Sequence, residues 1–526
     1  MERYDLIVIG AGPAGLSAAI EAAETGMKVV VFDENKRPGG QLFKQIHKFF
    51  GSKEHKAKVR GFRIGQELLQ DAEKAGVEVH LSAVVIGIFP HLGITVSKDD
   101  HIEHFKANSI IIATGASENA LPFSGWTLPG VMGAGAAQTM MNLYREQPGK
   151  KILMVGSGNV GLVVTYQLLE AGCEVVGLVD VLPRIGGYGV HAAKIARTGV
   201  KFYLSHTIVK AEGDKEVTGA IIAEVDKNFK VVKGTEKHLD VDTICLAVGL
   251  TPMSNLARMA QCQMVNKGGA VPSCDEYGAT SIAGIYVAGD VGGIEEASSA
   301  MIKGRIAALG AAKYCGYITE KEAAEKFVVY HTDLNKLRQG MFAPGNKEKM
   351  TCTKTREGYP LSMNLLTKGF LTEKELAVFP DCLQEVRGIH PVVECTQNIP
   401  CNPCQDICPM HCICVGEDIT NLPVINHTQK CSGCGRCVAN CPGQAIFLVE
   451  QGEKEDHVTI PYEFLPLPVP GEKGCGCDRS GAVVCETVIK AVKDLPANDH
   501  TVLVTLAVPP GMGNTVRFYK KEGGVI

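Results

Sequence analysis

Residues 5–33, DLIVIGAGPAGLSAAIEAAETGMKVVVFD, decide the fold. DLIVIG is a short apolar run of strand character, GAGPAG a turn, LSAAIEAAETG a helix ending at Gly26, and KVVVFD a second strand. Gly10, Gly12 and Gly15 stand where strand passes into helix. The first makes the turn, the second lets backbone approach a pyrophosphate, and the third lets helix and strand lie close. A diphosphate then rests on N–H groups at the positive end of the helix dipole. Asp33, ending the second strand, is placed to accept hydrogen bonds from a ribose. A glycine fingerprint alone is weak evidence, because glycine turns also serve packing; here both strands, the helix and the acid are all present.

Residues 151–180 repeat the plan as KILMVG, SGNVG, LVVTYQLLEAG and EVVGLVD, an internal duplication of the βαβ unit. Gly156, Gly158 and Gly161 form the second fingerprint and Asp180 the second acid. An acid there suits a free ribose 2′-hydroxyl, hence NADH over NADPH, and the nearby Arg184 makes a poor 2′-phosphate site beside it. Three occupants stay open: NAD(H), another adenine nucleotide without a redox role, or none. SIIIATGA at 109–116, DTICLAVGLTP at 242–252 and GIYVAGDVGG at 284–293 read as further strands, the last followed by an alanine-rich helix to about 315. Residues 316–394 are less regular, with helix-start pairs Thr319/Glu322 and Thr372/Glu375 but no legible chemistry. Residues 462–526 read as a small β unit.

Ten of the 20 cysteines fall between Cys395 and Cys441, and residues 1–172 contain none. Thiols clustered in an intracellular chain point to metal. KCSGCGRCVANCPG places Cys431, Cys434, Cys437 and Cys441 in the bacterial ferredoxin run, in which three thiolates hold one 4Fe–4S cluster and the fourth serves another. Zinc would want separated pairs. Upstream, CTQNIPCNPCQDICPMHCICV supplies Cys401, Cys404 and Cys408 as the second to fourth positions of a matching run. Cys408 would complete the cluster of Cys431, Cys434 and Cys437. The other would take Cys401, Cys404, Cys441 and a fourth thiolate. Asn398 stands in the expected place, so Cys395 is read as the displaced ligand. Cys412 and Cys414, on one face if extended, are weaker candidates, and a single cluster is the alternative.

At 526 residues the chain is long enough for three or four units, and 45% hydrophobic residues supply their cores. A net charge of −4 with mixed signs leaves no footprint for nucleic acid or an anionic membrane. No apolar run approaches the roughly 18 residues of a spanning helix, and MERYDLIVIG lacks signal-peptide layout. A soluble, cytoplasmic protein is expected. The 15 histidines are scattered, no catalytic acid or base is identifiable, and the cofactors are expected to carry the chemistry.

Gly39-Gly40 after Asp33, the ATG turn at 113–115 and Gly289-Asp290 after a strand together resemble the two-dinucleotide-domain flavoproteins that include glutathione and thioredoxin reductases. The resemblance implies FAD at the first site, bordered by Asp33, Glu34, Gly40, Gln41, Thr114 and Gly115. Gly289 and Asp290 would hold its ribityl chain and pyrophosphate, and a following helix would point at the flavin. By the same analogy NAD(P)H takes the second site. Gly39-Gly40-Gln41-Leu42 lacks a following redox cysteine and no CxxC precedes residue 330, which excludes disulfide chemistry.

FDENKRPGGQLF at 32–43 and GWTLPGVMGAGAAQ at 125–138 narrow the resemblance to the large flavoprotein subunits of opine oxidases, hydrogen cyanide synthase and dye-linked proline dehydrogenases, with related segments in the α subunit of sarcosine oxidase. It covers roughly 1–315 and, through CTQNIPCNPC, the cysteine region. It implies a hetero-oligomer in which a smaller flavoprotein oxidises an amino acid or related secondary amine, with electrons leaving through iron–sulfur centres. The alternatives are a self-contained NADH-dependent reductase serving a ferredoxin-like acceptor, or a non-catalytic scaffold. The expected fold is α/β: two Rossmann-like, glutathione-reductase-type domains, then a ferredoxin-like α+β domain and a small β-rich unit. The expected boundaries are 1–120 with 250–330 for FAD, 121–249 for the second nucleotide, 331–390 as a connection, 391–450 for the clusters and 451–526 for the last unit.

Overall fold

The buried apolar runs form parallel strands. The computed structural model describes residues 2–89, 91–266, 269–379 and 388–521. The chain divides into two units, Met1–Glu118 with Gly249–Arg338, and Asn119–Val248 with Gln339–Ile526.

In the first unit the strand Glu2–Ile9 pairs in parallel with Val29–Phe32 on one side and His101–Ile112 on the other. Ile285–Val287 joins His101–Ile112, also in parallel. Leu6, Ile7 and Val8 are wholly buried, as a sheet covered on both faces requires. His101–Ile112 begins earlier than expected because its polar first half pairs antiparallel with Gly93–Lys98. Thr319 and Glu322 form the expected capping box at the start of helix Glu320–Leu337, which runs past residue 331.

Helix Pro13–Glu24 lies so close to helix Ala297–Tyr314 that a Cβ on Gly304 would stand 2.1 Å from the Ala14 carbonyl oxygen. Gly304→Ala must therefore push the fingerprint helix away. It is expected to cost about 1–3 kcal/mol, read as a lower urea midpoint, and to weaken FAD retention on gel filtration.

In the second unit five parallel strands take the order Phe202–Leu204, Glu174–Asp180, Lys151–Val155, Thr243–Leu246, Val131–Gly133. Helix Asn159–Glu170 is apolar nearly all round, and Gly161 to Leu169 are buried throughout. Such a helix needs cover beyond its own sheet. A second sheet supplies it: Phe447, Val458, Ile460, Phe464 and Val504 share one hydrophobic core with Leu162, Tyr166 and Leu169.

That second sheet has seven antiparallel strands in the order His390–Val393, Ile446–Glu450, Asp456–Tyr462, Val502–Val508, Val483–Lys493, Lys473–Cys477, Phe518–Lys521. The boundary expected at 450/451 falls between two of its paired strands. Glu394 follows one edge strand and Arg517 precedes the other, and they form a buried ion pair at 2.6 Å, so a side-chain bridge links the two ends of the sheet. Thr372 and Glu375 form the second expected capping box.

Candidate functional site

The two glycine fingerprints divide their labour identically. Gly10 and Gly156 have φ of +105° and +108°, and a Cβ there would meet the carbonyl oxygens of Ala113 at 2.4 Å and Ala247 at 2.2 Å. Only glycine tolerates both demands. A Cβ on Gly15 or Gly161 would strike the Gly10 or Gly156 oxygen at 1.8 and 2.0 Å, which is the close helix–strand approach. Gly12 and Gly158 face open space within 4 Å. They are the N-caps of their helices, and neither helix start has a side-chain cap, so backbone N–H groups are presented there.

Both strand-end acids first brace their own loops. Asp33 Oδ2 accepts from Ala11 N at 2.6 Å, and its Oδ1 accepts from the Asn35 amide N at 2.8 Å. Asp180 Oδ2 accepts from Ser157 N at 2.7 Å and from Ser157 Oγ at 2.5 Å. A carboxylate offers about four acceptor positions, so each keeps capacity for a ribose. Arg184 Nη1 donates to the Cys352 carbonyl at 2.8 Å.

Around the first fingerprint, Gly39 N donates to Ala11 O at 2.6 Å and a Cβ on Gly40 would lie 2.9 Å from Gly12 Cα, so the glycine pair folds onto the loop. Gly289, at φ +74°, lies against Ala14, and burial pushes the Asp290 carboxyl up while Glu295 N donates to its Oδ1 at 3.2 Å. Gly10, Gly12, Gly15, Gly40 and Gly289 thus gather at one helix start. The Ala113–Thr114 backbone lies against Gly10, with Thr114 N 3.4 Å from the position of that glycine's missing Cβ, and Thr114 Oγ1 donates to Met253 O at 2.7 Å; Glu34 and Gln41 are exposed.

The cysteines sort into two groups. Cys408, Cys431, Cys434 and Cys437 line one cavity, with Cys412. Burial first, then Cys431 and Cys408, pushes the Cys437 thiol well up. In the other group burial, then Cys441 and Cys395, pushes Cys404 up. Cys401 follows Asn398 and Ile399 in the same loop, and its N–H donates to Ile419 O. Backbone N–H groups of Cys412, Gly433 and Ala445 donate to the sulfurs of Cys408, Cys431 and Cys441 at 3.2, 3.4 and 3.4 Å.

Among the described residues no three His, Cys, Asp or Glu side chains converge closely enough for a single ion. A cubane asks for something else, since each of its thiolates bonds a different iron and the sulfurs stand apart around it. Thiols that raise one another's pKa lose that penalty when metal displaces their protons.

Asn398 is buried among other partners: its Nδ2 donates to Thr420 O at 2.9 Å and to both Glu357 carboxylate oxygens, and its Oδ1 accepts from Arg356 N. Cys412 and Cys414 do not share a face. Cys412 is buried and Cys414 exposed, because the strand Ile413–Cys414 begins after Cys412 and the alternation does not reach back to it.

Residues 4–304 match the pyridine nucleotide-disulphide oxidoreductase family, and 424–447 match the 4Fe-4S binding domain. The chain belongs to the pyridine nucleotide-disulphide oxidoreductase family. It is similar to an opine oxidase subunit from Agrobacterium tumefaciens (strain Ach5), 28% identical over 66% of this chain and 76% of the relative. It is also similar to hydrogen cyanide synthase subunit HcnB of Pseudomonas aeruginosa, 27% identical over 61% and 73%. Among solved structures, L-proline dehydrogenase from P. horikoshii shares the fold at a TM-score of 0.50 and 21% identity, over 64% of this chain and 59% of that one. This family member is therefore an FAD-dependent oxidoreductase with a 4Fe–4S domain, and the resemblance read from its motifs holds. Among the described residues no helix is long and apolar enough to cross a membrane.

Proposed function

We propose that this chain is the large, electron-transferring subunit of a heteromeric dehydrogenase for an amino acid or related secondary amine, and that it carries two 4Fe–4S clusters. One observation carries the two-cluster reading: the thiol groups follow the exchange pattern of a ferredoxin pair, Cys408 standing with the downstream run and Cys441 with the upstream one. The relatives named as subunits support the heteromeric reading. FAD accepts an electron pair and releases it singly, which is what one-electron clusters require.

This chain's residues hold and aim those groups. Gly10, Gly12, Gly15 and the amides they expose would take the FAD pyrophosphate, with Asp33 at the ribose and Gly289-Asp290 beside the helix start. Cys395, Cys401, Cys404 and Cys441 would hold one cluster, and Cys408, Cys431, Cys434 and Cys437 the other. Cys434 is exposed, which gives the second cluster access to a partner or a ferredoxin-like acceptor.

The second fingerprint, built as fully as the first, favours one other reading: a self-contained NADH-dependent reductase. Anaerobic stopped-flow mixing separates them. The lone chain is expected not to bleach with NADH and to become reducible by an amine only once its co-purified smaller subunit is added. Rapid bleaching by NADH alone would replace this reading with the reductase.

A further inference from the structure

The two thiol groups sit in different electrostatic surroundings. Beside Cys395 and Cys441 the protein buries three guanidinium groups, Arg197, Arg479 and Arg517, against one carboxylate, Glu394. Arg197 ends the helix Gly189–Ala196, which is fastened to the cysteine loops at both ends. Gly189 N donates to the Gln397 side chain at 2.7 Å, and Arg197 Nη2 donates to Gln444 O at 3.1 Å. The Arg197 and Arg517 guanidiniums lie 5.1 and 4.9 Å from the Phe447 ring. A cavity lined by Arg197, Glu394, Arg479, Phe447 and the Gly443–Ala445 backbone opens there.

Glu394 serves Arg479 and Arg517, whereas Arg197 Nε is buried with no hydrogen-bond partner. Arg197 stands within one turn of Cys441, because it bonds the Gln444 carbonyl and the N–H of the next residue, Ala445, donates to the Cys441 sulfur at 3.4 Å. Lys194, over the Tyr166 ring, and Glu463, which accepts from Gln444 Nε2, are of opposite sign and offset each other. Positive charge left uncompensated in an interior calls for an anion. Around the other group the cations Lys430 and Arg436, with His411 and His427, are all exposed and water-screened.

We infer that the buried arginines, Arg197 foremost, hold the cluster of Cys395, Cys401, Cys404 and Cys441 at a higher reduction potential than the cluster of Cys408, Cys431, Cys434 and Cys437. Each cluster takes one electron and gains one negative charge on reduction, and fixed positive charge nearby favours that form. Burial works the other way, since Cys434 of the other group is exposed and none of Cys395, Cys401, Cys404 and Cys441 is, although Cys437 is buried; the fixed positive charge has to outweigh it. Net charge decides. The inference rests on the two-cluster reading, which an iron analysis tests separately.

The experiment is a dye-mediated dithionite titration of the anaerobic full chain followed by EPR. Two one-electron waves are expected with about eight irons per chain, four for each cluster; an iron content near four would sink the two-cluster reading itself. Cys434→Ser, at a ligand of the exposed cluster, should disturb the lower wave. Arg197→Met, with iron unchanged, should weaken reduction of the upper wave at least tenfold, a fall of about 59 mV for a one-electron couple, while Arg197→Lys retains most of it. An upper wave that stays in place in Arg197→Met at full iron content overturns the inference. So does Cys434→Ser disturbing the upper wave, and that arm still decides if Arg197→Met loses its cluster.

Discussion

Glu394→Gln is expected to destabilise the second unit by about 3–5 kcal/mol, the usual cost of removing one partner from a buried ionic group. Glu394 Oε1 accepts from Arg479 Nη2 at 2.6 Å, Arg479 Nε at 3.0 Å and Arg517 Nε at 2.6 Å. All three residues are buried. Glutamine has nearly the same shape and keeps an acceptor oxygen, so what disappears is charge, leaving two guanidiniums without their counterion. The loss falls on the side-chain bridge between the two ends of the seven-stranded sheet, so it should be felt across the whole sheet.

The pH dependence has a definite sign. The two arginines hold the Glu394 carboxyl down to about 2 against burial. A carboxyl whose folded pKa is depressed stabilises fully above its unfolded value, roughly 4.3, and loses that contribution as pH falls through the folded value. The gap between the original protein and Glu394→Gln is therefore constant above about pH 4.5 and narrows toward pH 2. Urea midpoints from anaerobic circular dichroism measure it, and equal midpoints at pH 7 would mean that the triad contributes nothing. Replacing all three residues with apolar ones of similar volume should recover most of the stability, because the desolvation cost leaves with the charges. Where Glu394→Gln retains iron, it should move the upper cluster wave upward, opposite in sign to Arg197→Met.

What was legible in the sequence was local. A glycine at φ +105° with a carbonyl 2.4 Å from its missing Cβ leaves a mark that one residue type satisfies. The capping boxes at Thr319 and Thr372 need only a partner three residues on. The ligand spacing of Cys431 to Cys441 is fixed by a short loop. The charged group around Phe447 left no such mark. Arg197 and Gln444 lie 247 positions apart, and Glu394 and Arg517 123, so no periodicity or motif joins them. The sheet shared across residue 450 was hidden for the same reason, because its edge strands come from 390–393 and 518–521. Asn398 was legible as a gap, but its bonds to Glu357 and Thr420 were not.

That gap gives the second large effect. Cys395→Ala is expected to lower iron from about eight to about four per chain, with one EPR signal surviving. Asn398 occupies the regular ligand position, yet its amide is committed to Thr420 O at 2.9 Å and to Glu357. Cys412 stands with the other thiol group, its N–H 3.2 Å from the Cys408 sulfur, and Cys414 is exposed. Cys395 is close enough to Cys404 to act on it together with Cys441. Asn398→Ala, by contrast, should lower the urea midpoint by about 1–3 kcal/mol through the unsatisfied groups it leaves and keep its full iron content. If Cys395→Ala retains about eight irons with both signals intact, Cys395 is no ligand and the fourth thiolate comes from elsewhere. If Asn398→Ala instead halves the iron, the loop it anchors, and not Cys395, is what the second cluster depends on.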